Sequence, residues 1–132
     1  MPERPPCPFC DRLAAGPLDG GNDRAAAFPD AFPVSRGHTL VVPRRHVSDY
    51  FDLAEPEQAA LWRLVAEVKA RLDREQAPAG YNVGVNVGPA GGQTVWHAHV
   101  HVIPRYPGDV EDPRGGVRWV IRARAPYWKE RG

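Results

Sequence analysis

The sequence contains no apolar run of the roughly 18 residues that a membrane-spanning helix requires, and its N-terminus shows no apolar leader core. These absences give no membrane association to explain and set the expectation of a cytoplasmic protein. An excess of charge of either sign is missing too: 17 basic residues stand against 16 acidic ones, for a formal net charge of +1. Without a basic excess, nucleic acid and anionic lipid drop out as main partners. Cysteine is scarce. The two present, Cys7 and Cys10, form a Cys-x-x-Cys pair, which in a reducing compartment points to metal or redox chemistry rather than to a structural disulfide. No internal repeat and no linker interrupts the 132 residues, a length that suits a single domain, 1–132.

What is present is an ordinary globular composition, 42% hydrophobic and 25% charged, punctuated by 15 prolines and 13 glycines that fall mostly at element boundaries. Residues 1–24 read as an irregular N-terminal segment. Residues 25–28 form a short strand, and 38–43 a stronger, β-branched one stopped by Pro43. Glu55 to Gln76 is the one long helix: Leu61, Val65, Val68 and Leu72 recur at helical spacing, with Leu64 widening the stripe. Pro56 suits its first turn, and Pro78 with Gly80 marks its stop. Residues 81–87 alternate as a two-faced strand, and 95–103 form another that pairs with it antiparallel across the loop 88–92. The expected fold class is α+β, an antiparallel sheet with one long helix on one face. Residues 107–132 are a turn-rich C-terminal tail, with 118–122 as a candidate short strand.

The chemistry lies in His97-Ala98-His99-Val100-His101-Val102-Ile103. In a strand, alternate side chains share a face. The three histidines then line one face, and Ala98, Val100 and Val102 the other. A packed core would put valine or isoleucine in such a row, so imidazole is there for its chemistry. Two options stand: a metal site, or nucleophilic catalysis at phosphorus, for which a partly neutral imidazole is suited. The preceding Gly91-Gly92-Gln93-Thr94 favours the second. Small residues let backbone N–H groups cradle an anion, and Gln93 and Thr94 add side-chain donors. Cys7 and Cys10 keep three readings: a redox pair, two unremarkable thiols, or half of a zinc site whose missing ligands would be histidines.

These residues resemble the histidine triad (HIT) superfamily, whose signature is His-x-His-x-His followed by apolar residues, matched by residues 97–103. The resemblance covers roughly residues 7–106. It implies a HIT-like fold, a homodimer sharing its sheet, and a nucleotide substrate, adenine or another purine. Implied catalytic residues are His99 as nucleophile on the α-phosphorus, with His101 and His38 positioning and charge-balancing the phosphate. Implied nucleotide-binding residues are Phe28 at the base, Asp30 at the ribose, and Asn86, Gly92, Gln93 and Thr94 at the phosphate. A covalent nucleotidyl-histidine would form and be hydrolysed, with Ap4A, Ap3A or a nucleoside phosphoramidate as substrate. Transfer to a phosphorylated acceptor is the alternative, although the uridylyltransferase relatives carry glutamine where His101 stands. A zinc-stabilised nucleotide-binding regulator with little catalysis is a third possibility. The branch of the family with an N-terminal Cys-x-x-Cys, which includes those uridylyltransferases, implies a closed structural zinc on Cys7, Cys10, His46 and His97. In the tail, Arg105, Arg114 and Trp128 are candidates for polyphosphate or second-base contacts, against the plainer expectation of packing or a dimer edge.

Overall fold

The computed structural model describes residues 6–129; residues 1–5 of the N-terminal segment and 130–132 of the tail lie outside the described residues. Five strands form one antiparallel sheet: β1 (Gly20–Gly21), β2 (Ala25–Pro29), β3 (Thr39–Pro43), β4 (Gly80–Gly84) and β5 (Val100–Arg105), in the order β1-β2-β3-β5-β4. Helix α1 spans Pro8–Ala15 and helix α2 spans Glu55–Gln76. The α+β class and the bounds of the long helix match the sequence-based expectation.

Helix α2 covers one face of the sheet. Its Leu61, Leu64, Val65, Val68 and Leu72 pack on Ala25, Ala27, Val41, Val100 and Val102. Each of those side chains is almost fully buried, and each contributes about 1.5–3 kcal/mol on leaving water, with the alanines giving less. The helix start is held by Glu57, whose carboxylate accepts from Ala54 N–H at 3.0 Å and from Arg45 at 2.8 and 3.0 Å. The arginine hydrogen bond, reinforced by that backbone donor, lowers the Glu57 pKa to about 2. At the other end, Ala77 adopts the left-handed region at φ 46°, a conformation that costs a side-chain-bearing residue about 1 kcal/mol.

The opposite face carries a smaller apolar cluster, Phe28, Leu40 and Val42, covered by Phe9 and Leu13 of α1 and by Leu18. Here the expectation of an irregular 1–24 is corrected. Pro8 stands at the first helical position and Cys7 caps the helix, its sulfur accepting from Cys10 N–H at 3.3 Å; the cysteine spacing reads as a loop only when that start signal is overlooked. Three further corrections follow. The strand expected over 95–103 begins only at Val100, because the preceding segment is pulled to the loop after β3 by the Ala98 N–H bond to Val47 O, 2.7 Å. The strand expected over 81–87 is Gly80–Gly84, leaving Asn86 in a loop. Residues 118–122 form no strand; Gly116–Val120 and Arg122–Arg124 are short 3-10 turns.

Candidate active site

Sheet register assembles the site from distant parts of the chain. Phe28 pairs with Leu40, and Leu40 pairs with His101, so the three stand side by side on the face away from α2. The alternation of buried and half-buried residues along Val100–Arg105 keeps His101 on that face. Above this row lies a cavity of about 680 Å³, within the range of small-ligand sites. His38, His99, His101, Asp30, Asn86, Gly92 and Thr94 wall one part of it, and Phe9, Arg12, Phe28 and Leu40 another.

Hydrogen bonds assign the tautomers. His99 Nδ1 lies 2.8 Å from the His97 carbonyl oxygen. A carbonyl only accepts, so Nδ1 carries the proton and Nε2 holds a lone pair. His38 Nδ1 accepts from Val34 N–H at 3.1 Å, so its proton sits on Nε2, 2.9 Å from His101 Nδ1. That bond leaves His101 with its N–H on Nε2. The two neighbouring rings, with centroids 5.0 Å apart, thus carry opposite functions: a lone pair on His99 and a donor on His101. Burial, with the nearby His99 and His38, lowers the His101 pKa to about 4, and burial lowers that of His38 against the raising effect of Asp30. The His38 and His101 rings are therefore neutral near pH 7, as their mutual Nε2–H to Nδ1 hydrogen bond requires. Asp30 stands 3.4 Å from His38 Nε2 and holds the turn after β2 through Phe32 N–H, 2.8 Å from its Oδ1.

The expectation that three histidines share one strand face is corrected at His97. It lies ahead of β5, fully buried, and its ring turns away from the cavity. Its Nε2 is 2.8 Å from the Pro43 carbonyl oxygen, so it carries the proton there and Nδ1 holds the lone pair. That nitrogen is 3.4 Å from Cys7 Sγ, 3.6 Å from Cys10 Sγ and 3.3 Å from His46 Nδ1, and Cys10 Sγ is 3.3 Å from His46 Nδ1. A tetrahedral zinc with bonds of about 2.3 Å to sulfur and about 2.05 Å to nitrogen separates its ligand atoms by roughly 3.3–3.8 Å. The spacing and the Cys₂His₂ donor set therefore fit such an ion. Phe9 packs edge-on to both His97 and His99, dividing this cluster from the cavity.

Gln93 takes a different place from a phosphate donor. It is buried, and its amide nitrogen donates to Ser48 O at 2.8 Å and Val95 O at 3.0 Å while Gly88 N–H donates to its oxygen at 3.0 Å. It braces the glycine loop from behind. Gly92, at φ 92°, and Thr94 face the cavity. Among the tail candidates, Arg105 is bound by Asp109 and Asn82, and Arg114 by Asp112 while lying over the Trp128 ring. Their charges are taken up within the chain. The sequence reading passed over Phe9 and Arg12, which reach the cavity on α1; its proline start was the available signal.

Fold and site together define a small α+β domain with a histidine relay in a ligand-sized cleft beside a Cys/His cluster. The chain belongs to the HIT domain family, whose pattern matches residues 20–108. A HIT-like protein of Mycoplasma genitalium is 38% identical over 104 residues, 76% of this chain and 73% of that protein. An AP-4-A phosphorylase of Mycobacterium tuberculosis is 42% identical over 84 residues, 63% of this chain but only 43% of that enzyme. The crystal structure of a zinc-bound histidine triad family protein from Mycobacterium smegmatis superposes with a TM-score of 0.71 at 27% identity, covering 96% of this chain and 97% of that one.

Proposed function

We propose that this chain is a HIT-type hydrolase that cleaves nucleoside phosphate derivatives, dinucleoside polyphosphates or nucleoside phosphoramidates, at the α-phosphate. The observation that carries the reading is the His99 Nδ1 bond to the His97 carbonyl, which fixes the ring and leaves Nε2 as the nitrogen free to act as nucleophile in the cavity. Its lone pair forms the N–P bond as the bond from phosphorus to the leaving amine or phosphate breaks, the leaving group taking the electron pair and an amine also taking up a proton. The His101 N–H stabilises the charge on the transferring phosphoryl group, and Asp30 and Phe28 seat ribose and base. Water then attacks phosphorus and gives up a proton, the N–P bond returns its electrons to Nε2, and nucleoside monophosphate leaves. His99→Ala is expected to lose turnover by at least about a thousandfold while retaining nucleotide affinity, measured by single-turnover assay and calorimetry. Normal turnover in that variant rejects the assignment.

Inorganic phosphate as acceptor is the second reading, favoured by the similarity to an AP-4-A phosphorylase. With Ap4A as substrate, products with and without added phosphate separate the two, AMP beside ATP marking hydrolysis and ADP beside ATP phosphorolysis. Cys7, Cys10, His46 and His97 would hold a structural zinc. With all four positions filled by protein, such an ion would cross-link α1, the segment after β3 and the segment before β5, and would leave no site for water. The chain would work as a homodimer joined through the edge strand β4.

A further inference from the structure

The proposed nucleotide cavity has an unassigned cation on the wall formed by α1. Ring contacts run from His99 to Phe9 at 4.9 Å and from Phe9 to Phe28 at 5.6 Å between centroids, and the Arg12 guanidinium carbon stands 5.3 Å from the centroid of Phe28. Arg12 follows Pro8 and Phe9 by four and three positions on α1, so all three share a helix face, and all three wall the cavity. Arg12 Nη1 is buried and has no hydrogen-bond acceptor among the described residues. A buried guanidinium nitrogen without an acceptor is unfavourable, and the Phe28 ring beside it offers only its face.

We propose that Arg12 reads the base of the bound nucleotide and that the site prefers guanine. This rests on the nucleotide-binding reading given above. Guanidinium has donors only, held in a planar fork. Guanine presents two adjacent acceptors, O6 and N7, that match the fork. Adenine places an N6 amino donor beside its N7, so that donor would face donor, and cytosine presents its N4 amino group. Uracil offers only single acceptors at this edge and cannot take both arms. A base seated against Phe28 is within reach of the guanidinium and supplies the acceptor that the protein lacks.

The test is calorimetric titration of the whole protein with GMP, AMP, UMP and CMP. The expected result is that GMP binds roughly 10- to 100-fold more tightly than AMP, the range of a bidentate arginine–guanine contact. Arg12→Met is expected to reduce the difference to within about threefold. Arg12→Lys should lose it as well, because an ammonium keeps the charge without the fork. Equal affinities, an AMP or pyrimidine preference, or a guanine preference that survives both variants overturns the inference. If AMP binds as well as GMP, the site for nucleotides stands and only the base assignment falls. If no nucleotide binds, the nucleotide-binding reading fails and this inference fails with it. Should either variant unfold, the wild-type panel and the other variant still decide.

Discussion

Protonation is the chief variable at the level of single residues. The His101 pKa falls from 6.5 to about 4 in the folded chain, so between those values the unfolded state takes up a proton that the folded state refuses. By linkage, this contribution to stability is full above about pH 6.5 and is lost as pH falls toward 4. Glu57 acts in the same direction lower down. Its pKa falls from 4.5 to about 2, so its contribution is present above about 4.5 and disappears toward pH 2. Urea melts at stepped pH are expected to show stability declining from pH 6.5 downward. His101→Asn should flatten the upper part of that decline, and Glu57→Gln the lower part. A decline unchanged in both variants would rule out these two groups as its source. The identities of His99, His101 and His38 were legible from spacing and family pattern. Their tautomers were not, because these depend on the carbonyl of His97 and the N–H of Val34, backbone groups that every sequence supplies.

Among the secondary-structure elements, legibility followed periodicity. The stripe Leu61, Leu64, Val65, Val68 and Leu72 fixed α2 because twenty-two helical residues bury one continuous face. Helix α1 has eight residues and no buried residue of its own, too little for a periodic signal. The histidine segment misled in the opposite way. Its alternation is real in sequence, but one bond from Ala98 to Val47 and the burial of His97 bend the chain before Val100. The end of α2 offers a stability test. Ala77 sits at φ 46° and ψ 52°, where glycine is strain-free. Relief of about 1 kcal/mol, less the entropy that glycine adds to the unfolded chain, leaves Ala77→Gly more stable by about 0.5 kcal/mol. Thermal melts would detect this as a rise in Tm; a fall would mean that the left-handed turn carries no strain.

The whole molecule has its N-terminal helix, the loop after β3 and the histidine segment meeting at one four-residue cluster. Metal analysis of the purified protein is expected to find about one zinc per chain, and chelation should lower Tm and turnover together. Chelation without effect on either would leave the cluster a set of packed thiols and imidazoles. Sedimentation velocity tests the dimer, a species of twice 14.6 kDa being the expected result and a monomer at micromolar concentration the contrary one. No helix among the described residues is long and apolar enough to cross a membrane. Position 97 then behaves unusually in any mutational survey. What it lends the nucleophile is a main-chain carbonyl, which any replacement also possesses; what it lends the cluster is a ring nitrogen, which few can imitate. A loss at that position would therefore combine the ligand with a buried ring and its bond to the Pro43 carbonyl, and cysteine, which keeps a ligand but not the ring, is the substitution that separates the two.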